Sequence, residues 1–195
     1  MSRTRIGVLG GTFDPIHNGH LTAARSVREQ LDLDGVLVAP ANDPWQKKTV
    51  ATPQQRLTMA RLAVAGMSGI DVSDVDIARG GQTFTIDTLA DLRKLHPLTL
   101  FSFILGADAF AGLSSWHRSD ELLAEVSFII VTRPGAPVPQ LSYGAHDLNL
   151  LEIPSVDVSS SLCREKARRE ESLRGLVPDA VADYIIDEGI YREHR

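Results

Sequence analysis

Near the start of the chain, the string Gly10-Gly11-Thr12-Phe13-Asp14-Pro15-Ile16-His17-Asn18-Gly19-His20 gathers residue types that handle phosphate. Glycines without a Cβ let the backbone come close to a ligand. Pro15 stiffens the turn, and His17 and His20, at i and i+3, share one face if a helix begins there. Two imidazoles beside free backbone N–H groups make a site for an anion rather than for an apolar ligand. Other phosphate loops fit poorly: there is no G-x-x-x-x-G-K-[ST], and Gly7, Gly10 and Gly11 do not match G-x-G-x-x-G.

The flanking residues predict how this string is held. Arg5 to Leu9 is an apolar run that reads as a short buried strand. Leu21, Ala24, Val27 and Leu31 recur at helical spacing. The string is therefore a strand-to-helix turn, where an α/β sheet offers backbone N–H groups and a positive helix end to a phosphate. Further along, strands are predicted at 36–39, 100–105, 126–131 and 148–153, and strand structure over Ile70 to Ile77, broken near Ser73-Asp74. Helices are predicted from Thr52-Pro53 to about Ala65, from Thr83 to about His96, in the second half of 114–125, from the serines at 159–161 to about Glu170, and from Pro178 to about Glu188. Polar loops are expected at 41–49 and at 134–147, the second Pro-rich and the more mobile. Strands alternating with helices imply a mostly parallel sheet with helices on both faces.

Composition narrows the class. The 195 residues suit a single domain, residues 1–195, with the C-terminal helices from about 159 packed on it. Hydrophobic residues at 43% and charged residues at 23% are ordinary globular values. A net charge of −5 argues against a sequence-independent hold on nucleic acid or an anionic membrane, yet allows a local basic pocket for a polyphosphate. No apolar run approaches the ~18 residues of a membrane span. The first strand follows the N-terminus directly, with no room for a signal peptide, and one cysteine excludes an internal disulfide. A cytoplasmic α/β protein is expected.

The string from Gly10 to His20 resembles the signature of the H-x-G-H nucleotidyltransferase superfamily, with His17-Asn18-Gly19-His20 as the four-residue motif. Ser159-Ser160-Ser161-Leu162-Cys163-Arg164 resembles the I-S-S-T-x-[IV]-R element of the same superfamily, with Ser161 in place of Thr and Cys163 in place of the aliphatic residue. Both changes are mild, since Ser keeps the hydroxyl and Cys behaves as a small hydrophobe when buried. Three further stretches are similar to elements of bacterial nicotinate-nucleotide adenylyltransferases. They are Gly80 to Leu89 (P-S-Y-T-x-D-T-L), Gly106-Ala107-Asp108 with Trp116 (G-x-D…W), and Arg133-Pro134-Gly135 (R-P-G). Pro44-Trp45-Gln46-Lys47 occupies the place of the family's P-P-H-K loop. Phe84 stands for Tyr, and Gln46 for a titratable His, which puts any chemical role at 46 in doubt. Each residue also has a plainer reading alone: Trp116 as packing, Asp108 as a helix cap, Lys47 with Lys48 as a solvated pair.

The resemblance implies a Rossmann-like doubly wound fold and adenylyl transfer from ATP to nicotinate mononucleotide. The products are nicotinate adenine dinucleotide and pyrophosphate. It implies His17, His20, Lys47 and Arg164 as the catalytic donors. ATP would lie on Gly10, Thr12, Phe13, Gly19 and the two histidines, with adenine between Gly106-Asp108 and Ser159, Ser160, Ser161 and Arg164. Nicotinate mononucleotide would meet Gly11, Thr12, Lys47 and Arg133, its ring stacked on Trp116 and its carboxylate taken by backbone N–H groups near Thr85 and His117. Mg2+ would be held mainly by the ATP phosphates, with no dedicated protein ligands; a metal site of His17, His20 and Asp14 lacks an evident fourth ligand. ATP and nicotinate mononucleotide are the expected partners, without nucleic acid or membrane, and a homo-oligomer is left open. Rival readings are nicotinamide-mononucleotide or phosphopantetheine adenylyltransferase and, in another class, a non-catalytic nucleotide sensor.

Overall fold

The computed structural model describes residues 3–135 and 147–192. In chain order, strand β1 (Thr4–Gly11) leads to helix α1 (Asn18–Gln30), then β2 (Gly35–Pro40), a two-residue strand β3 (Asp43–Pro44), α2 (Pro53–Val64) and β4 (Ile70–Val72). Next come α3 (Val75–Arg79), a second two-residue strand β5 (Gln82–Thr83), α4 (Thr85–Leu95), β6 (Thr99–Gly106) and α5 (Ala107–Ala111). A 3-10 turn at Leu113–Ser115 precedes α6 (Ser119–Glu125) and β7 (Ser127–Thr132). Strand β8 (Asp147–Glu152), α7 (Ser160–Arg168) and α8 (Asp179–Asp187) complete the described chain.

Six strands form one sheet in the order β4-β2-β1-β6-β7-β8. Every pairing within it is parallel. Taken as sheet strands the order is three-two-one-four-five-six, the doubly wound arrangement whose direction reverses between β1 and β6. Alternate side chains feed two cores. Leu9, Val38, Ile104 and Ile129 pack on one side with α1, α2, α7 and α8. Val8, Phe103, Phe128 and Ile130 pack on the other with α3 to α6. Strands buried on both faces read as continuous apolar runs, which is why β1, β2, β6 and β7 were legible from sequence. The expected α/β sheet with helices on both faces is observed.

Two local readings need correction. Val75 to Ile77 is helical, so the strand expected over Ile70 to Ile77 ends at Val72. Val75 is buried in the second core beside Ile86 and Leu89, which a short helix achieves and a continued edge strand does not. Helix α5 was not anticipated, because five residues carry no usable periodicity. Most of the loop expected at 134–147 lies outside the described residues. Among the described residues, no helix is long and apolar enough to cross a membrane.

Candidate active site

The reversal point leaves a cleft of about 1060 Å3 at the C-terminal ends of β1 and β6. One wall is the turn after β1. A Cβ added to Gly10 would lie 2.6 Å from Phe103 Cζ, and one on Gly11 would lie 2.8 Å from Phe13 Cζ. These glycines are therefore required by aromatic rings of the chain itself, before any ligand arrives. Phe13 takes a left-handed φ of 51° and is 2% exposed, its ring edge-on to His20 at 4.9 Å. His17 is the extended residue that opens α1. Gly19 is in a tighter spot than most, since a Cβ there would sit 3.2 Å from both the His17 ring and Val158 Cγ1.

The two imidazoles stack, with ring centroids 3.6 Å apart and planes inclined by 21°. His20 Nδ1 accepts the His17 backbone N–H at 3.2 Å, which assigns the His20 proton to Nε2 on a ring that lines the cleft. His17 Nδ1 is buried without a partner. Burial pushes the His17 pKa down to about 4. Burial also pushes His20 well below its ordinary value, helped by the neighbouring His17 and by the Lys47 ammonium. Both rings are neutral at pH 7, and His20 presents a neutral N–H donor to the cleft.

The second wall is the segment from β2 to α2, which carries Lys47. Its near end is fixed by Arg56, a fully buried guanidinium donating to the carbonyls of Thr12 at 2.8 Å, Ala41 at 2.6 Å, Asn42 at 2.7 Å and Ala51 at 3.3 Å. Its far end is fixed by Asp14, whose carboxylate accepts the backbone N–H of Val50 at 2.8 Å and Ala51 at 3.1 Å. Asp14 also accepts the Tyr191 hydroxyl at 2.7 Å. Between these anchors, β3 pairs in parallel with β5, and Asn42 N–H donates to Thr83 Oγ1 at 2.9 Å. Sequence reasoning noted Asp14 only as a weak metal candidate and gave Arg56 and Tyr191 no role. Their partners are backbone groups and a carboxylate far away in the chain, which spacing does not reveal. With its oxygens so occupied, Asp14 does not form a metal site with the histidines, and no metal-binding cluster of three His, Cys, Asp or Glu occurs among the described residues.

The third wall comes from α7. Ser159 accepts Leu162 N–H at 3.1 Å as the helix cap, Ser160 Oγ donates to Pro15 O at 2.9 Å, and Arg164 donates to Asp14 O at 2.7 Å and to Ser161 Oγ at 3.1 Å. Arg164 thus braces the turn after β1 as well as facing the cleft. Opposite, Gly106, Asp108, Thr85, Trp116 and Arg133 line the cavity. Trp116 is half-buried and edge-on to Phe103 at 6.2 Å, so it packs against the second core while facing the cleft. The His117 ring is exposed and stacks on Phe84 at 4.2 Å, while the contact expected at this position is through backbone N–H groups rather than the ring. Asp76, 2% exposed at the cleft edge, accepts Thr88 Oγ1 at 2.8 Å and Arg79 at 2.6 Å, tying α3 to the start of α4. Burial raises its pKa, partly offset by those two donors.

Comparisons with known proteins agree on one assignment. A family model described as "Cytidylyltransferase-like" matches residues 8–166. A "Probable nicotinate-nucleotide adenylyltransferase" of Clavibacter michiganensis subsp. michiganensis is 45% identical over 190 residues, covering 97% of this chain and 95% of that one. A protein of the same name from Saccharopolyspora erythraea is 46% identical, covering 97% and 91%. The chain belongs to the cytidylyltransferase-like nicotinate-nucleotide adenylyltransferase family. In fold it also matches "Plasmodium falciparum nicotinic acid mononucleotide adenylyltransferase complexed with NaAD", with a TM-score of 0.83 at 24% identity over 96% of this chain and 97% of that one. Two of the departures noted in sequence, Cys163 and Phe84, sit away from the cleft lining, whereas Gln46 lines it. Cys163 is fully buried and its thiol is pushed up to about 11 by burial, so it serves as a small hydrophobe. Phe84 keeps a ring that stacks without needing a hydroxyl partner, and Gln46 lies exposed on the loop.

Proposed function

We infer that this enzyme transfers the adenylyl group of ATP to nicotinate mononucleotide, releasing pyrophosphate, in the cytoplasmic synthesis of NAD, through one nucleotidyltransferase domain. The single observation that carries the mechanistic reading is the stacked His17–His20 pair at the cleft, with a tautomer fixed by the backbone and Lys47 close enough to depress the His20 pKa. The nucleophile is a phosphate monoester whose second pKa is about 6, so it is largely dianionic at neutral pH and needs no general base. Catalysis then consists of aligning the nucleophile with the α-phosphorus and stabilising charge as the phosphoryl group passes in line.

In this reading His20 donates its Nε2 proton as a hydrogen bond to an α-phosphate oxygen, and a neutral donor does so without first taking up a proton. His17, Thr12 and Lys47 meet the remaining phosphate oxygens, with Arg164 at the α7 side. Adenine enters between Gly106-Asp108 and the start of α7, and the pyridine ring packs on Trp116, with Thr85 and Arg133 at its polar end. The ring carboxylate is taken by backbone N–H groups near Thr85 and His117, whose own ring stacks on Phe84. The scattered carboxylates fit a triphosphate that brings its own cation: Mg2+ on ATP would neutralise charge on the β- and γ-phosphates.

The test is pyrophosphate release from ATP and Mg2+ with nicotinate mononucleotide, nicotinamide mononucleotide and phosphopantetheine in parallel. Preference for the nicotinate form is expected. Preference for the amide would overturn the Thr85 and Trp116 assignment, and no turnover with any of the three would favour a nucleotide sensor.

A further inference from the structure

We propose that Tyr191 is a positioning residue for the Lys47 loop: its hydroxyl holds the Asp14 carboxylate in the orientation that grips the far end of that loop. The proposal rests on the functional reading above, which gives Lys47 its chemical role.

Three parts of the chain meet at Asp14. Its carboxylate takes the Tyr191 hydroxyl and the Ala51 N–H on one oxygen and the Val50 N–H on the other. Its backbone carbonyl takes Arg164. Asp14 and Tyr191 are 3% and 5% exposed, so the pair is shielded from bulk water. The phenol stays protonated, because burial and the Asp14 charge push its pKa far above the ordinary value. Tyr191 adopts a left-handed φ of 72°, uncommon for a residue with a Cβ, and this conformation accompanies the inward-facing hydroxyl.

The same C-terminal segment reaches the motif a second time. Asn18 N–H donates to Leu176 O and its side-chain amide to Gly175 O, each at 2.9 Å. The residue between His17 and Gly19 is thus held from behind by residues that carry no sequence signature. The near end of the loop keeps its anchors in Arg56 and Thr83, and Arg56 Nε also donates to Ala51 O at 3.3 Å, so removing the Tyr191 hydroxyl loosens only the Asp14 grip on the far end. Lys47 lies between the two anchors, and small misplacements of a catalytic group cost up to about 100-fold in rate.

Tyr191→Phe keeps the ring and removes the donor. Steady-state kinetics of wild type, Tyr191→Phe, Lys47→Ala and the double variant test the coupling. Tyr191→Phe is expected to lower kcat roughly tenfold with little change in either KM, and to cost less than about twofold once Lys47 is already Ala. A readout without substrates uses the two tryptophans of the chain. In a Trp116→Phe background, with excitation at the red edge that selects indole over phenol, Trp45 of the loop is the sole emitter, and adding Tyr191→Phe should increase its quenching by acrylamide. An equal factor with and without Lys47, or unchanged quenching, would mean that Tyr191 only packs the C-terminal segment, and would overturn the proposal. If the wild type fails to use nicotinate mononucleotide, the functional reading falls while the quenching result still decides the loop.

Discussion

The structure gives His20 one job and the proposed mechanism a second, and one substitution can divide them. Its Nδ1 accepts the His17 backbone N–H at 3.2 Å, half of a capping box at the start of α1, while Nε2 is the donor proposed for phosphate. In His20→Asn the side-chain oxygen can take the place of Nδ1, keeping the cap, and nothing reaches the position of Nε2. Losing one preorganised transition-state donor lowers kcat by about 10²–10³. His20→Ala loses that donor and the cap together, and a cap is worth ~1 kcal/mol. For a chain of this size that is ~2–4 °C in melting temperature. The two variants should therefore share the kcat defect and differ in thermal stability, with His20→Asn melting near wild type. Pyrophosphate release at saturating substrates and a thermal melt measure both quantities. A His20→Asn enzyme retaining a tenth or more of wild-type kcat would refute the assignment of the donor.

Other outcomes follow from the buried polar groups. Arg56→Met leaves the buried Ala41 and Ala51 carbonyls without donors at ~1–3 kcal/mol each, so the thermal denaturation temperature should fall by about 4–24 °C. His17 is held at about 4 in the folded chain against 6.5 unfolded, a lowered pKa, so its contribution is complete above pH 6.5 and is lost as pH falls through the folded value. Urea unfolding at pH 7 and pH 4.5 should differ by roughly 2–3 kcal/mol more in wild type than in His17→Gln, and equal differences would contradict the buried, neutral imidazole. Gly10→Ala places a Cβ 2.6 Å from Phe103 Cζ and shifts the ring that abuts Trp116. It should destabilise the fold by ~1–3 kcal/mol and raise KM for nicotinate mononucleotide more than for ATP, as measured by calorimetry and initial rates.

The parts of this enzyme legible in its sequence are those whose physics is local. The turn from Gly10 to His20 announces itself because residue types, order and flanking periodicity all act within a few residues. Buried strands such as β6 and β7 show as apolar runs for the same reason. Val75 was misread because two apolar pairs each two apart, Ile70/Val72 and Val75/Ile77, span a strand end and a helix start, and the break at Ser73-Asp74 does not say which follows. Arg56 and Tyr191 were missed because their partners are carbonyls and a carboxylate brought together only by the tertiary fold. The stacking of the His117 ring on Phe84 was not legible for the same reason, since the two residues meet only in the tertiary fold.

The pairing of β3 with β5 has a consequence for altering this enzyme. Asp43–Pro44 and Gln82–Thr83 are hydrogen-bonded backbones, so the segment bearing Trp45 and Lys47 and the segment leading to Phe84 and Thr85 are one mechanical unit. Grafting either segment alone from a relative would import a strand without its mate. Under the proposed roles, substrate preference on the pyridine side and phosphate handling on the other are inherited together, and a change of specificity has to be transplanted as a pair of loops.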